Sequence, residues 1–245
     1  MTAHPIAFTA RVIRVARNEI GTVAGLLVGS LGLAIFAAVA DGISDGDDQK
    51  FDWAVLKWTR PYADQPDRPI GPWWLHEAAI DITSLGGISV LLVFALMAVG
   101  FLLIRGKKLS ALLTLVGLAG GVVLSEGLKA IYDRPRPPEV YQVVDTLNAS
   151  FPSGHALLAT VFYLSVGVML TRAFPRARMK AYALAWAVVL VLLIGLTRIY
   201  LGAHWASDVA AGWGIGAFWA MLLWLFAYAM ERRQRVRMAR LQDEP

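Results

Sequence analysis

Apolar residues in this chain do not alternate with polar ones; they run together. Six stretches contain no charged residue and no histidine: 20–40, 82–104, 109–125, 156–171, 181–197 and 209–230. Their lengths are 21, 23, 17, 16, 17 and 22 residues, and a helix of about 17 to 25 apolar residues crosses the hydrocarbon of a bilayer. No water is available there to satisfy backbone N–H and C=O groups, so such a run must form a helix. The shortest stretch follows His155, which can sit at the interface and complete the crossing. The pattern predicts an all-α polytopic membrane bundle with six transmembrane helices.

One long polar excursion, 41–81, separates the first two spans, with nine acidic and four basic residues. It carries Trp53, Trp58, Trp73, Trp74 and Tyr62, amphipathic aromatics that favour the headgroup layer. Phe51, Ala54, Val55 and Trp58 recur at helical spacing and predict a short helix lying in the interface. Pro61, Pro66, Pro69 and Pro72 stop any longer helix. Two readings of this segment stand, a membrane-hugging connector and a lid beside a lipid site.

Composition agrees with the pattern. The chain is 57% hydrophobic and 17% charged, where soluble domains carry about a quarter charged residues, which excludes a soluble enzyme, a collagen-like chain and a disordered tail. Its net charge of +5 raises the question of nucleic acid, and the distribution of charge answers it. Basic residues gather as Arg11, Arg14 and Arg17; Arg105, Lys107 and Lys108; Arg172, Arg176, Arg178 and Lys180; and Arg232, Arg233, Arg235, Arg237 and Arg240. Six crossings put all four groups on one face, as the positive-inside rule expects of the cytoplasm. Both termini, including the basic tail 231–245, are therefore expected inside and 41–81 outside, with no nucleic-acid partner.

The absence of cysteine excludes disulfides, thiolate metal sites and cysteine nucleophiles. Ala38-Val39-Ala40 has the small-residue form of a signal-peptidase site, but the apolar run before it exceeds the roughly 7–15 residues of a signal core, so an uncleaved first helix is expected. Gly117, Gly120 and Gly121, and Gly212, Gly214 and Gly216, are expected to let helices approach closely. No internal repeat is present, and 1–245 is expected to be a single membrane domain.

Ionisable residues near membrane depth are costly and mark function. Here they gather at the outer ends of the last four spans: Lys129 with Arg134 and Arg136; Pro152-Ser153-Gly154-His155; and Arg198 through His204 to Asp208. Lys129, Arg136 and Arg198, taken as three cations without matching acids, call for an anion. Pro152-Ser153-Gly154-His155 reads as a helix start whose N–H groups face a ligand. Helix dipole and guanidinium donors together suit a phosphate. The i, i+4 spacing of His204 and Asp208 puts both on one face if 204–208 begin the sixth helix, leaving one ring nitrogen unprotonated toward phosphorus. His155 would supply a proton to the leaving oxygen. A cluster that merely holds a lipid headgroup is the non-catalytic alternative.

At these residues the sequence resembles the type 2 phosphatidic acid phosphatase family, the lipid phosphate phosphatases that share a site with vanadium haloperoxidases and glucose 6-phosphatase. The family's signatures are Lys, six residues, Arg-Pro; Pro-Ser-Gly-His; and Ser-Arg, five residues, His, three residues, Asp. They stand here as Lys129 to Arg136-Pro137, as Pro152-Ser153-Gly154-His155, and as Thr197-Arg198 to His204 and Asp208. The match is specific over 129–208. Two departures occur: Thr197 replaces the serine, keeping its hydroxyl, and Arg134-Pro135 duplicates the Arg-Pro pair, so that Arg134 is a possible accessory phosphate ligand.

The resemblance implies that His204 is the nucleophile of a phosphohistidine intermediate, that Asp208 orients it and that His155 protonates the leaving group. It implies that Lys129, Arg136, Ser153, Gly154 and Arg198 bind the phosphoryl oxygens, with no metal and no cofactor. The substrate expected is a membrane lipid phosphate at the outer face of a bacterial inner membrane. Family members of this architecture act on undecaprenyl diphosphate, phosphatidylglycerol phosphate, phosphatidic acid and lipid A phosphates. Undecaprenyl diphosphate is the expectation among them, because recycling that carrier is an outward-facing task. A lipid phosphotransferase would need the same phosphohistidine and remains a second class. Oligomeric state is not read from the sequence.

Overall fold

The computed structural model describes residues 5–45, 49–146 and 148–243, with side chains described over 22–44, 50–146, 148–234 and 236–238. Arg11, Arg14, Arg17, Arg235 and Arg240, on which the charge argument partly rests, lie outside the described side chains. The elements in chain order are α1 (Pro5–Asp45), α2 (Gln49–Thr59), α3 (Trp73–Ser84), α4 (Ile88–Ile104) and α5 (Lys108–Tyr132). A 3-10 turn (Glu139–Tyr141), α6 (Gly154–Ala173), α7 (Ala177–Tyr200) and α8 (Ala206–Asp243) complete the fold. The protein is an all-helical, multi-pass membrane bundle.

Five stretches are long and apolar enough to cross a bilayer: Thr22–Ser44, Lys108–Tyr132, Gly154–Ala173, Ala177–Tyr200 and Ala206–Met238. The second span departs from expectation. Instead of one helix over 82–104, α3 and α4 meet at a 50° bend and make a span only as a pair. The bend follows from Gly86-Gly87. Gly87 takes an extended φ of −69° and ψ of 141° as the cap of α4, and the Tyr163 hydroxyl donates to the Leu85 carbonyl that the broken ladder releases. The proline stretch before α3 behaves as expected, α3 starting directly after Pro72.

The interfacial helix expected around 51–58 is α2. The remaining helices run past the expected spans. Lys129, expected just beyond the third, lies in the last turn of α5, and Arg198 lies in the last turn of α7. Polar residues extend these helices because their backbone ladders continue into the interface even where side chains turn polar.

α1 packs along α8, α6 packs against both α7 and α8, α4 lies on α5, and α3 lies on α7. The core at the centre is Leu91, Ala95, Leu118, Leu157, Leu158, Val161, Phe162 and Ile215, while Leu26, Leu27, Leu31, Met97 and Leu196 face outward to lipid. Small residues set the spacing, as expected. A Cβ on Gly212 would stand 2.7 Å from the Ser153 carbonyl oxygen, and one on Gly216 would stand 2.8 Å from that of Leu157. The backbone of α8 thus touches the first turns of α6.

Candidate active site

Four helix ends converge at one end of the bundle: the C-termini of α5 and α7 and the N-termini of α6 and α8. The basic segments Arg105 to Lys108 and Arg172 to Lys180 lie at the opposite end. Each sequence-derived site residue lies at or beside one of the four converging ends.

The N-terminus of α6 starts where expected, at Gly154 after the Ser153 cap, but the Ser153 N–H is not free to face a ligand. Ser153 caps it, accepting from the Ala156 N–H at 3.5 Å, and its own N–H donates to the Asp208 carbonyl at 3.0 Å. Phe151 is fully buried between the rings of Phe36 and Tyr132, with centroids 5.6 and 4.9 Å away, which fixes the entry to the helix. Gly154 has no Cβ, and the space it leaves lies 3.1 Å from Ser125 Oγ and 3.7 Å from Lys129 Nζ. His155 packs against Gly86 and Gly87 at the α3–α4 bend and lies in electrostatic range of Arg198, His204, Lys129 and Arg136.

His204 precedes α8, which begins at Ala206, so the histidine and Asp208 do not share a helix face as expected. A cap supplied from inside the helix explains the difference. Asp208, in the first turn, reaches back to accept the Trp205 N–H at 3.0 Å, stopping the helix there. The preceding turn needs Gly202, whose φ of +68° is the left-handed region and where an added Cβ would collide with the Tyr141 carbonyl. Arg60, buried, brackets this turn by donating to the carbonyls of Tyr200 at 2.8 Å and Tyr141 at 2.9 Å.

The ring of His204 is held from both sides. Arg136 Nη1 lies 3.2 Å from Nε2. Arginine has only donors, so Nε2 presents its lone pair and the proton resides on Nδ1. Nδ1 lies 3.4 Å from Ser150 Oγ and 3.6 Å from Asp208 Oδ2, and the Ser150 hydroxyl donates to that same carboxylate oxygen. Ser150 therefore bridges an imidazole–carboxylate gap slightly too long for a direct bond. Burial pushes the His204 imidazole down to about 4, with Asp208 pulling it up and Arg136 and Arg198 pulling it further down. It is a neutral base at pH 7.

The cations divide differently from the expectation of three without acids. Lys129 is paired with Glu126 at 2.8 Å one turn earlier, and Glu126 also accepts from Asn148. Arg134 spends both terminal nitrogens on buried carboxylates, Nη1 on Asp208 at 2.5 Å and Nη2 on Asp52 at 2.7 Å. Both terminal nitrogens of Arg134, expected as an accessory phosphate ligand, are thus engaged by carboxylates of the protein itself. Burial alone would lower the Arg134 guanidinium, and the two aspartates more than reverse it.

Arg136 donates to the carbonyls of Asn148, Ala149 and Ala203, and among the described residues neither it nor Arg198 has a carboxylate within 4.0 Å. Arg198 donates to Thr83 at 3.2 Å, but its Nε is buried without a partner, as is Ser125 Oγ. Such orphaned polar groups call for a ligand or water. Two uncompensated guanidinium groups beside a helix N-terminus fit an anion with several acceptor oxygens. Thr197 takes no part, its hydroxyl donating back to the Ile194 carbonyl at 2.7 Å.

Glu126, Ser125, Ser150, Asp52 and Thr83 escape the sequence reading. Glu126 and Ser125 sit i, i+3 and i, i+4 from Lys129 and were open to helical spacing; the others arrive from segments that spacing does not connect. Among the described residues no group of three or more His, Asp or Glu side chains is gathered as a metal site.

A family model described as the PAP2 superfamily matches residues 108–232. The chain is 32% identical over 145 residues to phosphatidylglycerophosphatase B of Bacillus subtilis (strain 168), covering 58% of this chain and 70% of that protein. It is 28% identical over 123 residues to an undecaprenyl-diphosphatase of Sulfolobus acidocaldarius, covering 48% of this chain and 55% of that protein. A solved structure, the transmembrane PAP2 type phosphatidylglycerolphosphate phosphatase from Bacillus subtilis, superposes with a TM-score of 0.72 at 27% identity, covering 81% of this chain and 96% of that one.

Proposed function

The chain belongs to the PAP2 superfamily, and we propose that it is a membrane lipid phosphatase that works through a phosphohistidine on His204. The observation that carries this reading is the neutral, buried imidazole whose Nε2 lone pair faces Arg136 beside the uncompensated Arg198.

In the mechanism, Arg136, Arg198, Lys129, the Ser153 hydroxyl and the Gly154 N–H hold the phosphoryl oxygens and stabilise the charge that builds on them. His204 Nε2 attacks phosphorus as the bond to the leaving oxygen breaks, and His155 gives that oxygen its proton. The imidazolium that results is stabilised through Nδ1–H by Ser150 and Asp208. Water then attacks the phosphohistidine, His155 takes the proton, and inorganic phosphate leaves. Lys129 contributes only as its bond to Glu126 loosens toward the phosphate.

Phosphatidylglycerol phosphate is the substrate we place first, supported by the extent of the likeness to the Bacillus subtilis phosphatase. Undecaprenyl diphosphate is the second reading, supported by the archaeal relative and by a site on the outer face. We infer that face from the basic loops at the other end of the bundle, which the positive-inside rule assigns to the cytoplasm of a bacterial inner membrane. The test is phosphate release by detergent-purified protein, with a chelator present, from both lipids, phosphatidic acid and a soluble sugar phosphate. The expected result is release from a lipid that survives chelation and falls by about 10^4-fold in His204→Ala. Release that persists in His204→Ala, or silence on every lipid, overturns the proposal; lipid dephosphorylation that appears only with an added alcohol acceptor, with the phosphoryl group recovered on that alcohol, would favour the phosphotransferase.

A further inference from the structure

We propose that Asp52, on the interfacial helix α2, is a positioning residue for the hydrolytic centre, dividing Arg134 so that Asp208 keeps its negative charge for His204. The proposal rests on the phosphohistidine reading above.

Asp52 is 1% exposed, and a buried carboxylate is tolerated only when it is paired and hydrogen-bonded. Its Oδ2 accepts from Arg134 Nη2 at 2.7 Å and from the Ser207 hydroxyl at 2.5 Å, and its Oδ1 accepts the Ser207 N–H at 2.9 Å. Ser207 is the residue before Asp208, and Arg134 Nη1 reaches both the Ser207 hydroxyl at 2.7 Å and Asp208 at 2.5 Å. Trp53, next along α2, packs edge-on to Trp205 at 5.3 Å, the residue after His204. One guanidinium is thus shared by two buried carboxylates, and the cluster carries one net negative charge.

That remaining charge is what His204 requires. The charged and titratable groups acting on its ring are Asp208 from α8, Arg136 from the α5–α6 connection, Arg198 from α7 and His155 from α6, with Arg134 reaching it only through Asp208; Asp208 alone is anionic. If Asp52 were neutral, Arg134 and Asp208 would close into a balanced pair, and the imidazolium formed during attack would lose its counter-charge. A structural latch that merely pins α2 predicts something different. Loss of the latch would admit water and let the imidazole move up toward its ordinary 6.5, whereas loss of counter-charge moves it further down.

The experiment compares wild type, Asp52→Asn, Asp52→Glu, Arg134→Gln and the Asp52→Asn/Arg134→Gln pair, as full-length protein on phosphatidylglycerol phosphate across pH, with inorganic phosphate as competitive inhibitor. Asp52→Asn is expected to lower kcat by about ten- to a hundredfold, the range for groups that orient a reacting residue through an intermediary. KM and phosphate inhibition should stay within about twofold of wild type, and the acid limb should move to lower pH. Asp52→Glu, which keeps the charge, should hold the acid limb in place. In the Arg134→Gln background Asp52→Asn should cost nothing further, because its effect passes through Arg134.

Unchanged kcat in Asp52→Asn, an acid limb that rises, or losses that multiply in the double variant would each overturn the proposal. So would failure of both Asp52→Asn and Asp52→Glu to accumulate in the membrane, since Asp52 would then be a fold-holding group. Turnover by wild type with Asp52→Asn unaffected fails this inference alone; absence of wild-type turnover on any lipid fails the hydrolase reading beneath it.

Discussion

At the scale of the residue, burial decides the chemistry. His204 is nearly inaccessible, and desolvation holds its imidazole at about 4 against the upward pull of Asp208. The acid limb of kcat/KM is therefore expected near pH 4, well below the 6.5 of an exposed histidine, with activity falling as pH falls through it because the protonated ring has no lone pair. A pH profile whose acid limb sits at 6.5 would contradict this. His155→Ala should cost about 10²–10⁴-fold in kcat, the worth of a positioned acid, and less so on a substrate with a good leaving group such as a nitrophenyl ester. Gly202→Ala forces a side chain into a φ of +68° against the Tyr141 carbonyl, and thermal denaturation in detergent should show a loss of at least about 1–2 kcal/mol. The signature residues were legible because their chemistry depends on fixed spacing. Asp52 was not, because in an acidic loop one buried aspartate looks like the exposed Asp41, Asp64, Asp67 and Asp81, and Ser150 was not, because its hydroxyl acts only through its neighbours.

Among the elements, the long helices follow directly from apolar run length, and their true ends do not. Glu126 ends the apolar run 109–125 yet lies inside α5, and its i, i+3 pairing with Lys129 belongs to the turns by which the helix outlasts that run. α3 was hidden because Trp73, Trp74, His76, Glu77 and Asp81 interrupt its apolar face, and only packing on α7 makes it a helix. The bend between α3 and α4 brings Thr83 to Arg198 and Gly86 to His155. A Cβ on Gly86 would stand 2.5 Å from Ile194 and 3.4 Å from the His155 ring, so Gly86→Ala is expected to lower kcat by displacing the acid. Its check is kinetic: a variant with wild-type kcat would show that the bend has no hold on His155.

For the molecule as a whole, the fold separates two tasks along the membrane normal. The basic loops lie at one end, while the residues proposed to hold phosphate, the two histidines and the aspartate occupy the other. Lys107→Ala and Arg176→Ala should accordingly leave turnover unchanged, and a large loss in either would mean that the two ends communicate. The class and crossing count were legible because a bilayer allows so few solutions to an apolar run. The convergence of four helix ends was legible only as a crossing parity, since spacing along a chain does not fix which ends touch. The most direct test of the account is rapid quenching of the full-length protein during turnover of ³²P-labelled lipid phosphate, followed by mapping of the label. The account predicts an acid-labile, base-stable phosphoryl group on His204, absent from His204→Ala. Turnover that proceeds with the label on another residue would contradict it.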